Sequence, residues 1–269
     1  MKLFSYVAAS ILVSLSACAG HSTSDIAASN KMTVRETMGA EFGHMVLERW
    51  ASPPGNELHV YIEGDGIPWV GNRSAADPTP VNTLALRLAV IDGSDVVYLG
   101  RPCYFDRADS EGCHPKYWTS DRYGEEVLQS MAVAIARVRQ PRHTSIVLIG
   151  HSGGGVLAAL LESRVNDVVG VISIGANLDV DAWTELHEYD PLTGSLNPIA
   201  QTKNENIPHL QLVGGRDAKV PPEISSHYSE LKPNVDLVVY RDFDHVCCWE
   251  KEWPAILAKF SGESILINQ

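Results

Sequence analysis

Residues 144–161 read TSIVLIGHSGGGVLAALL, and the rest of the chain is interpreted outward from this stretch. The apolar run TSIVLI is typical of a strand that is buried on both faces of a sheet. A glycine-rich turn at residues 150–154 follows it, and small apolar residues at helical spacing continue to about Arg164. The stretch therefore predicts a buried strand, a sharp turn and a helix, with Ser152 at the turn.

A serine at a strand-to-helix turn of this kind is placed for nucleophilic chemistry. Small residues at Gly150 and Gly154 leave room where the helix crosses the strand, and the strained turn holds the hydroxyl of Ser152 free. The amino end of a helix also favours the negative charge that develops beside the nucleophile. An ordinary glycine-rich turn is the alternative, and the strand before the turn and the helix after it argue against it.

A serine hydroxyl needs a general base, and the base needs a group that orients it. Asp217 follows the apolar strand predicted at 209–213, and His245 follows the strand predicted at 235–240. Because parallel strands end at one edge of their sheet, both side chains are expected beside Ser152. We therefore predict that Asp217 orients His245 and that His245 takes the serine proton.

Other aspartates offer alternatives for the acid. Asp179 and Asp181 follow the strand predicted at 168–174, which is a second position where an acid can stand. Asp242 and Asp244 lie too close in sequence to His245 and are expected to shape its loop. Asp217 remains the preferred acid, with Asp179 and Asp181 as its competitors.

The rest of the chain alternates buried strands with amphipathic helices, which indicates an α/β fold with a mostly parallel sheet covered by helices on both faces. Strands are predicted at 44–50, 57–63, 95–99, 144–149, 168–174, 209–213 and 235–240, and helices at 80–91, 122–139, 153–164 and 253–260. Residues 177–206 have no clear periodicity. An irregular insertion of that length in a compact domain is usually functional, so we predict a lid-like segment there.

The serine motif with its strand and helix, and the chain order Ser152, Asp217, His245, resemble the α/β-hydrolase superfamily over residues 44–262. The resemblance implies an α/β-hydrolase fold and a serine hydrolase that acts on a small-molecule ester without a cofactor. Carboxylesterases and lipases are the commonest such enzymes, while peptidases, thioesterases and acyltransferases use the same triad. An envelope protein that binds a ligand or partner without catalysis is the non-enzymatic alternative.

Two backbone N–H groups must stabilise the oxyanion of the reaction. One is expected from Gly153, directly after the nucleophile. The loop after the strand at 57–63 reads Glu63-Gly64-Asp65-Gly66, which resembles the His-Gly motif of lipases with Glu63 in place of the histidine. The resemblance implies that Asp65 gives the second donor, with Gly66 beside it; a plain glycine-rich turn is the alternative.

The stretch after Leu99 also carries aromatic and basic residues near the expected cleft, among them Tyr117, Trp118, Arg122 and Tyr123. They could bind substrate, but a packed aromatic cluster is an equally good interpretation.

Four of the five cysteines are expected to form disulfides in an exported chain. We favour a Cys103–Cys113 bridge with Cys247 and Cys248 as an adjacent pair, and pairing between the two groups stays open. A zinc site at His245, Cys247 and Cys248 fits no usual ligand spacing, so no metal is predicted.

The amino terminus has the pattern of a secretory signal. Lys2 precedes a thirteen-residue, mostly apolar run at residues 3–15, which is too short for a comfortable membrane span. Residues 15–18, Leu-Ser-Ala-Cys, resemble the lipobox of bacterial lipoproteins; an ordinary signal peptide with a chance cysteine is the alternative. The resemblance implies a signal peptide at 1–17, a lipidated Cys18 and a membrane anchor, and Ala19 favours the outer membrane.

We expect residues 18–40 to be a flexible tether and residues 41–269 to form the hydrolase domain. The chain has 21 basic and 33 acidic residues and a net charge of −12, so it gains nothing from counterion release on nucleic acid. The same charge disfavours adsorption to anionic lipid, so a membrane partner is expected only through the lipid anchor.

Overall fold

The computed structural model describes residues 23–202 and 204–267, with side chains up to residue 262. The predicted signal peptide and Cys18 lie outside the described residues. The helices of the described part are α1 Thr23–Ser29, α2 Leu84–Ile91, α3 Glu125–Val138, α4 Gly153–Leu161, α5 Val180–Leu186, α6 Pro222–Leu231 and α7 Trp249–Ile267. Its strands are β1 Thr33–Met38, β2 Gly43–Arg49, β3 Glu57–Ile62, β4 Trp69–Val70, β5 Arg73–Ser74, β6 Asp95–Leu99, β7 Ser145–His151, β8 Val168–Ile174, β9 His209–Gly214 and β10 Val235–Tyr240.

An eight-stranded sheet forms the centre of the molecule. Its strand order is β1-β2-β6-β3-β7-β8-β9-β10, and β4 pairs with β5 in a separate hairpin. The strands from β6 to β10 in this order are parallel to one another, while β1 and β2 are antiparallel additions at one edge. This architecture confirms the predicted α/β class with a mostly parallel sheet.

The apolar run of β7 explains why this strand lies inside the sheet. It pairs with β3 on one side and β8 on the other, and its side chains from Ile146 to Ile149 are at most 2% exposed. Helices on both faces bury them, and full burial of one such side chain contributes about 1.5–3 kcal/mol relative to exposure. The carboxyl ends of β3, β7, β8, β9 and β10 meet at one edge, which positions the loops that follow them.

The predicted tether at 18–40 is wrong from Thr23 onward. The helix α1 buries Ala27, and β1 pairs with β2 from Thr33↔Glu48 to Met38↔Gly43. The sequence TVRETM of β1 lacks an apolar run because this strand lies at the edge of the sheet, where its side chains are exposed or half-buried. Pairing with β2 makes this segment a strand, although its polar sequence pattern does not predict one.

The insertion at 177–206 is only partly irregular. It contains α5 and a short 3-10 helix at Pro198–Ala200. The carboxylate of Asp179 caps α5 by accepting the N–H of Ala182 at 3.2 Å, and the amide oxygen of Asn197 accepts the N–H of Val180 at 3.0 Å. These contacts fold the segment back on itself.

Cys103 pairs with Cys113, and Cys247 pairs with Cys248. The first bridge closes a loop whose ends are ten residues apart in sequence. Across the part of the chain that the structure describes, no helix is both long enough and apolar enough to cross a membrane.

Candidate active site

Ser152 occupies the turn between β7 and α4, with a φ of 54° and a ψ of −127°. This conformation costs a non-glycine residue on the order of 1–3 kcal/mol, so the surrounding packing must impose it. The N–H of Ser152 donates to the carbonyl of Ile174 in β8 at 2.8 Å, and its own carbonyl accepts the N–H of Gly155 at 2.9 Å. These bonds fix the turn between two elements.

The two glycines of the motif are required by close backbone contacts. A Cβ atom on Gly150 would lie 2.1 Å from the carbonyl oxygen of Gly154. A Cβ atom on Gly154 would lie 2.1 Å from the carbonyl oxygen of Ile62 in β3. Because neither backbone atom can move aside, only glycine allows α4 to cross the strands this closely.

His245 and Asp217 form a buried pair. The Nδ1 atom of His245 lies 2.7 Å from the Oδ2 atom of Asp217, whose other oxygen accepts the N–H groups of Lys219 and Val220. With a carboxylate as acceptor, the Nδ1–H of His245 is the donor, and in the neutral imidazole Nε2 then carries no proton. Asp217 is 3% exposed and faces the imidazole from behind, so it holds the ring in one tautomer.

Burial governs the ionisation of His245. Loss of hydration lowers the pKa of His245 below its ordinary 6.5, the hydrogen bond to Asp217 opposes this shift, and the nearby His151 adds to it. The lowered pKa keeps the imidazole neutral near pH 7, which is the form that accepts a proton.

Ser152 and His245 line one cleft of about 1170 Å³. The Oγ atom of Ser152 has no hydrogen-bond partner among the described residues, and the side chain is half-exposed to this cleft. In proteins without substrate the bond between nucleophile and base is often long, and it shortens when substrate binds. The two groups therefore face the same space, with Asp217 behind the histidine.

The loop at residues 63–66, which we call the oxyanion loop after its predicted role, lies directly against Ser152. A Cβ atom on Gly64 would be 3.1 Å from the Cβ of Ser152. The N–H of Asp65 has no acceptor among the residues that the structure describes, and Gly153, as the first residue of α4, has no intrahelical acceptor. Gly66 turns the chain with a φ of 64°. Two N–H groups that flank Ser152 are thus free to donate.

Glu63 ties this loop to two other elements. Its carboxylate accepts the N–H of Ala85 at 3.3 Å and of Leu86 at 3.4 Å at the start of α2. It also lies 3.4 Å from Nδ1 of His151. The glutamate is 1% exposed, and these contacts give its charge hydrogen-bond donors inside the protein.

His151 is a site residue that sequence reasoning missed. Its Nε2 atom lies 2.9 Å from the carbonyl oxygen of His245, and the two rings are 4.8 Å apart. His151 therefore connects the oxyanion loop, through Glu63, to the loop that carries His245. Its position inside the serine motif was the only signal in the sequence.

The side chain of Asp65 has a role that the sequence does not reveal. Its carboxylate contacts Arg101 at 2.6 Å, Arg122 at 3.2 Å and the hydroxyl of Tyr123 at 2.6 Å. Burial raises the pKa of Asp65, but the charges of Arg122 and Arg101 outweigh it and lower this pKa to about 2. Arg122 lines the cleft, whereas Tyr123 is fully buried.

The competing aspartates are engaged elsewhere. The second carboxylate oxygen of Asp179 lies 2.6 Å from Nδ1 of His227, and Asp181 accepts from Asn197 at 3.0 Å. Asp244 accepts the N–H groups of Val246 and Cys247 and shapes its loop. The described contacts of His245 include neither Asp179 nor Asp181, which leaves Asp217 as its carboxylate partner.

The segment at 183–192 contributes Trp183 and residues 187–192 to the lining of the cleft. Trp183 and His187 both donate to the carbonyl of Lys219 at 2.8 Å, so the segment is attached to the loop that follows Asp217. The rings of His187 and Tyr189 stack with centroids 5.2 Å apart. The predicted lid-like insertion thus contributes aromatic side chains to the site.

Within the described residues, no group of three or more His, Cys, Asp and Glu side chains could hold a metal ion.

Comparison with protein-family models gives no match, and comparison with curated protein sequences gives none at a significant level. Solved structures are similar at low sequence identity. An esterase of Pyrococcus furiosus matches 88% of this chain and 92% of its own, with a TM-score of 0.63 and 14% identity. A membrane phospholipase A, described as a novel bacterial virulence factor, matches 89% of each chain with a TM-score of 0.59 and 16% identity.

A mouse protein, α/β-hydrolase domain-containing protein 10, matches 86% of this chain and 97% of its own, with a TM-score of 0.59 and 13% identity. With this similarity and its mostly parallel eight-stranded sheet, the chain has the α/β-hydrolase fold. The fold expected from the serine motif and the order of the triad is therefore confirmed.

Proposed function

We propose that this protein is a serine hydrolase that cleaves carboxylic esters through an acyl-enzyme, with Ser152 as nucleophile, His245 as base and Asp217 as its orienting acid. The observation that carries the proposal is the 2.7 Å contact between Nδ1 of His245 and Asp217, in a site where His245 and Ser152 line one cleft. An α/β fold alone hosts many functions, so the argument depends on this geometry.

In the first half of the reaction, the Oγ atom of Ser152 attacks the ester carbonyl carbon while its proton moves to Nε2 of His245. The imidazolium that forms is stabilised by the Asp217 carboxylate. The tetrahedral intermediate then expels the alcohol, which takes the proton from Nε2. The product of this half is an ester between the acyl group and Ser152.

In the second half, His245 takes a proton from water, and the resulting hydroxide attacks the acyl carbon. Collapse of the second intermediate releases the carboxylic acid, and the Oγ of Ser152 recovers its proton from Nε2. The N–H groups of Gly153 and Asp65 donate to the oxyanion in both halves. Removal of one such donor typically lowers kcat by about 10²–10³-fold.

The apolar side chains that line the cleft favour an ester with an apolar part. Four exposed apolar or aromatic side chains line it, those of Ile67, Trp69, Val81 and Tyr189. Clustered apolar side chains around a cavity usually mark a ligand site. The similarity to structures of an esterase and a phospholipase A agrees with ester chemistry.

The amino-terminal sequence adds a location to this proposal. A lipid-modified Cys18 would hold the enzyme on the bacterial cell envelope, most simply at the outer membrane. Several acyl chains on one residue give stable anchoring, whereas one chain gives marginal binding. Growth of cells with an alkyne-tagged palmitate tests the point: the protein should be labelled, and Cys18→Ala should abolish both labelling and recovery in the membrane fraction.

Turnover of p-nitrophenyl esters with short to long acyl chains tests the catalytic proposal. We expect the full-length protein to hydrolyse part of the panel, and Ser152→Ala and His245→Ala to lose that activity. Ser226→Ala, in α6 and outside the cleft, is the matched control and should keep it. Activity that survives Ser152→Ala would contradict the proposal.

A further inference from the structure

A buried cluster beside the oxyanion loop contains more positive than negative charge. Arg101 and Arg122 share the single carboxylate of Asp65, and the arginine side chains are 1% and 6% exposed. Among the described residues, no second carboxylate forms an ion pair with either arginine. A buried charge without a counterion is costly, so the cluster is suited to receive an anion.

The two arginines differ in their access to solvent. Arg101 lies between aromatic rings, with its guanidinium carbon 4.8 Å from the ring centre of Tyr104 and 5.7 Å from that of Tyr123. The electron-rich faces of these rings stabilise its positive charge inside the protein. Arg122, in contrast, belongs to the wall of the cleft that contains Ser152.

The guanidinium of Arg122 is only partly used by the protein. Its Nε donates to the carbonyl of Thr119 at 2.7 Å, and its Nη1 donates to Asp65 at 3.2 Å. In the part of the chain that the structure describes, its Nη2 has no acceptor, and this atom is not fully enclosed by protein. Nη2 is therefore the part of Arg122 that can reach a ligand in the cleft.

The cluster also lies close to the reacting atoms. A Cβ atom on Gly153 would be 2.1 Å from Oδ1 and 2.7 Å from Oδ2 of Asp65, and Oδ2 is the oxygen that contacts Arg122. The guanidinium is thus separated from the oxyanion donor by one carboxylate. An anionic group on a substrate could contact Arg122 while its ester carbonyl lies at Ser152.

We propose that Arg122 forms an anion-binding subsite in the cleft, which selects esters that carry a carboxylate or phosphate close to the scissile bond. The subsite names a substrate class for the proposed ester hydrolase and rests on that function. A guanidinium suits both anions because its N–H groups match pairs of oxygen atoms.

Other charged groups around the cleft do not cancel this preference. Glu188, Asp190 and Lys219 line the cleft, and all three are exposed. Glu63 also lines it and is buried, but its carboxyl group already accepts the N–H groups of Ala85 and Leu86 in α2. Water and salt screen exposed charges strongly, whereas buried ones are screened much less. Arg122 is therefore the buried cation of the cleft that has a free N–H group for an anion, and Arg216→Gln, at an exposed arginine outside the cleft, supplies a matched control.

The test compares two esters of matched length, p-nitrophenyl butyrate and the mono-p-nitrophenyl ester of succinate. We expect Arg122→Gln to lower kcat/KM for the succinate ester about 10–100-fold more than for the butyrate, as loss of a charge-assisted hydrogen bond predicts. Arg122→Lys should recover part of the preference, and Arg216→Gln should leave the ratio of the two rates unchanged. An equal loss for both esters, together with no preference that depends on Arg122 in the phosphate pair described next, would overturn the subsite and assign Arg122 to support of the oxyanion loop.

A second pair of esters shows whether the anion is a carboxylate in the acyl group or a phosphate on the alcohol. This pair is glycerol monoacetate with and without a phosphate on the alcohol. A preference in the first pair alone means a carboxylate in the acyl group, and a preference in the second pair alone means a phosphate on the alcohol. No preference in either pair would overturn the proposal.

Binding of succinate or inorganic phosphate to the wild-type protein, measured by calorimetry, keeps the proposal testable where a variant fails to fold. We expect binding that weakens with salt and competes with ester turnover. If no ester is hydrolysed but either anion binds, the proposed function fails and the subsite stands. If esters are hydrolysed without preference for an anionic one, and neither succinate nor phosphate binds, the subsite fails and the proposed function stands.

Discussion

The Nδ1 atom of His245 lies 2.7 Å from the Oδ2 atom of Asp217, although the residues follow different strands and are 28 positions apart in sequence. The other oxygen of Asp217 accepts the N–H groups of Lys219 and Val220. The carboxylate is therefore held in position by its own loop, independently of its contact with the imidazole. This arrangement leaves Nε2 of His245 as the basic atom of the site.

Replacement of Asp217 by Asn should keep the fold and lower kcat for esters by about 10³–10⁴-fold, because the amide no longer fixes the tautomer of His245 or stabilises its charged form. Steady-state kinetics on a p-nitrophenyl ester measures the loss. Asp179→Asn is the control, because Asp179 pairs with His227 and caps α5. A large loss in Asp179→Asn together with a small one in Asp217→Asn would transfer the acid role to Asp179.

The pH dependence of catalysis should follow the ionisation of His245. Burial lowers the pKa of this imidazole below 6.5, and only the neutral form accepts the proton of Ser152. The value of kcat/KM should therefore rise with pH, with a midpoint below 6.5, and reach a plateau near neutrality. A profile whose rising limb has its midpoint well above 6.5 would be inconsistent with His245 as the base.

Asp65→Asn should destabilise the protein by about 3–5 kcal/mol, because it removes the carboxylate that pairs with two buried arginines. Urea denaturation near pH 7 measures this difference. The pKa of Asp65 is lowered to about 2, so its ion pairs stabilise the folded state above the ordinary carboxyl pKa. The advantage of the wild type over Asp65→Asn should therefore shrink as the pH falls from about 4 towards 2.

The control for this experiment is Asp242→Asn. Asp242 pairs with Arg216 at 2.6 Å, but both side chains are largely exposed, so the change in stability should be small at any pH. Similar losses in the two variants would mean that burial of the Asp65 cluster contributes little.

Removal of the Cys103–Cys113 bridge by serine substitution at both positions should lower the free energy of unfolding by about 2–3 kcal/mol, because the unfolded chain loses a constraint across ten residues. Urea denaturation without reductant measures it. The bridge between the adjacent Cys247 and Cys248 constrains no comparable loop of the unfolded chain. Serine substitution at both of these positions should therefore lower the free energy of unfolding less. Equal effects would contradict this explanation.

The central strands, and the placement of Ser152, Asp217 and His245 at one edge of the sheet, could be predicted from the sequence because their signals are local. Runs such as DVVYL and VDLVVY match β6 and β10 at both ends, and the serine motif lies between a strand and a helix that are both recognisable. The loops that follow parallel strands converge whatever their sequence. Asp217 and His245 could therefore be assigned to one site before their distance was known.

The elements that escaped prediction depend on contacts between distant residues. β1 is polar and becomes a strand by pairing with β2, and α5 starts where Asp179 and Asn197 satisfy its first N–H groups. The ion pairs of Asp65 with Arg101 and Arg122 span 36 and 57 positions, so no local sequence motif predicts them. The resemblance to lipases pointed to the backbone of Asp65 and gave no information on its side chain.

The most direct test of the central claim is reaction of the full-length protein with a fluorophosphonate probe, followed by mass mapping of the labelled peptide. We expect a single adduct on Ser152, loss of labelling in His245→Ala, and normal labelling in His227→Ala, a histidine outside the cleft. A folded protein that is not labelled, or one labelled at another serine, would contradict the assignment of Ser152 as the nucleophile of this site.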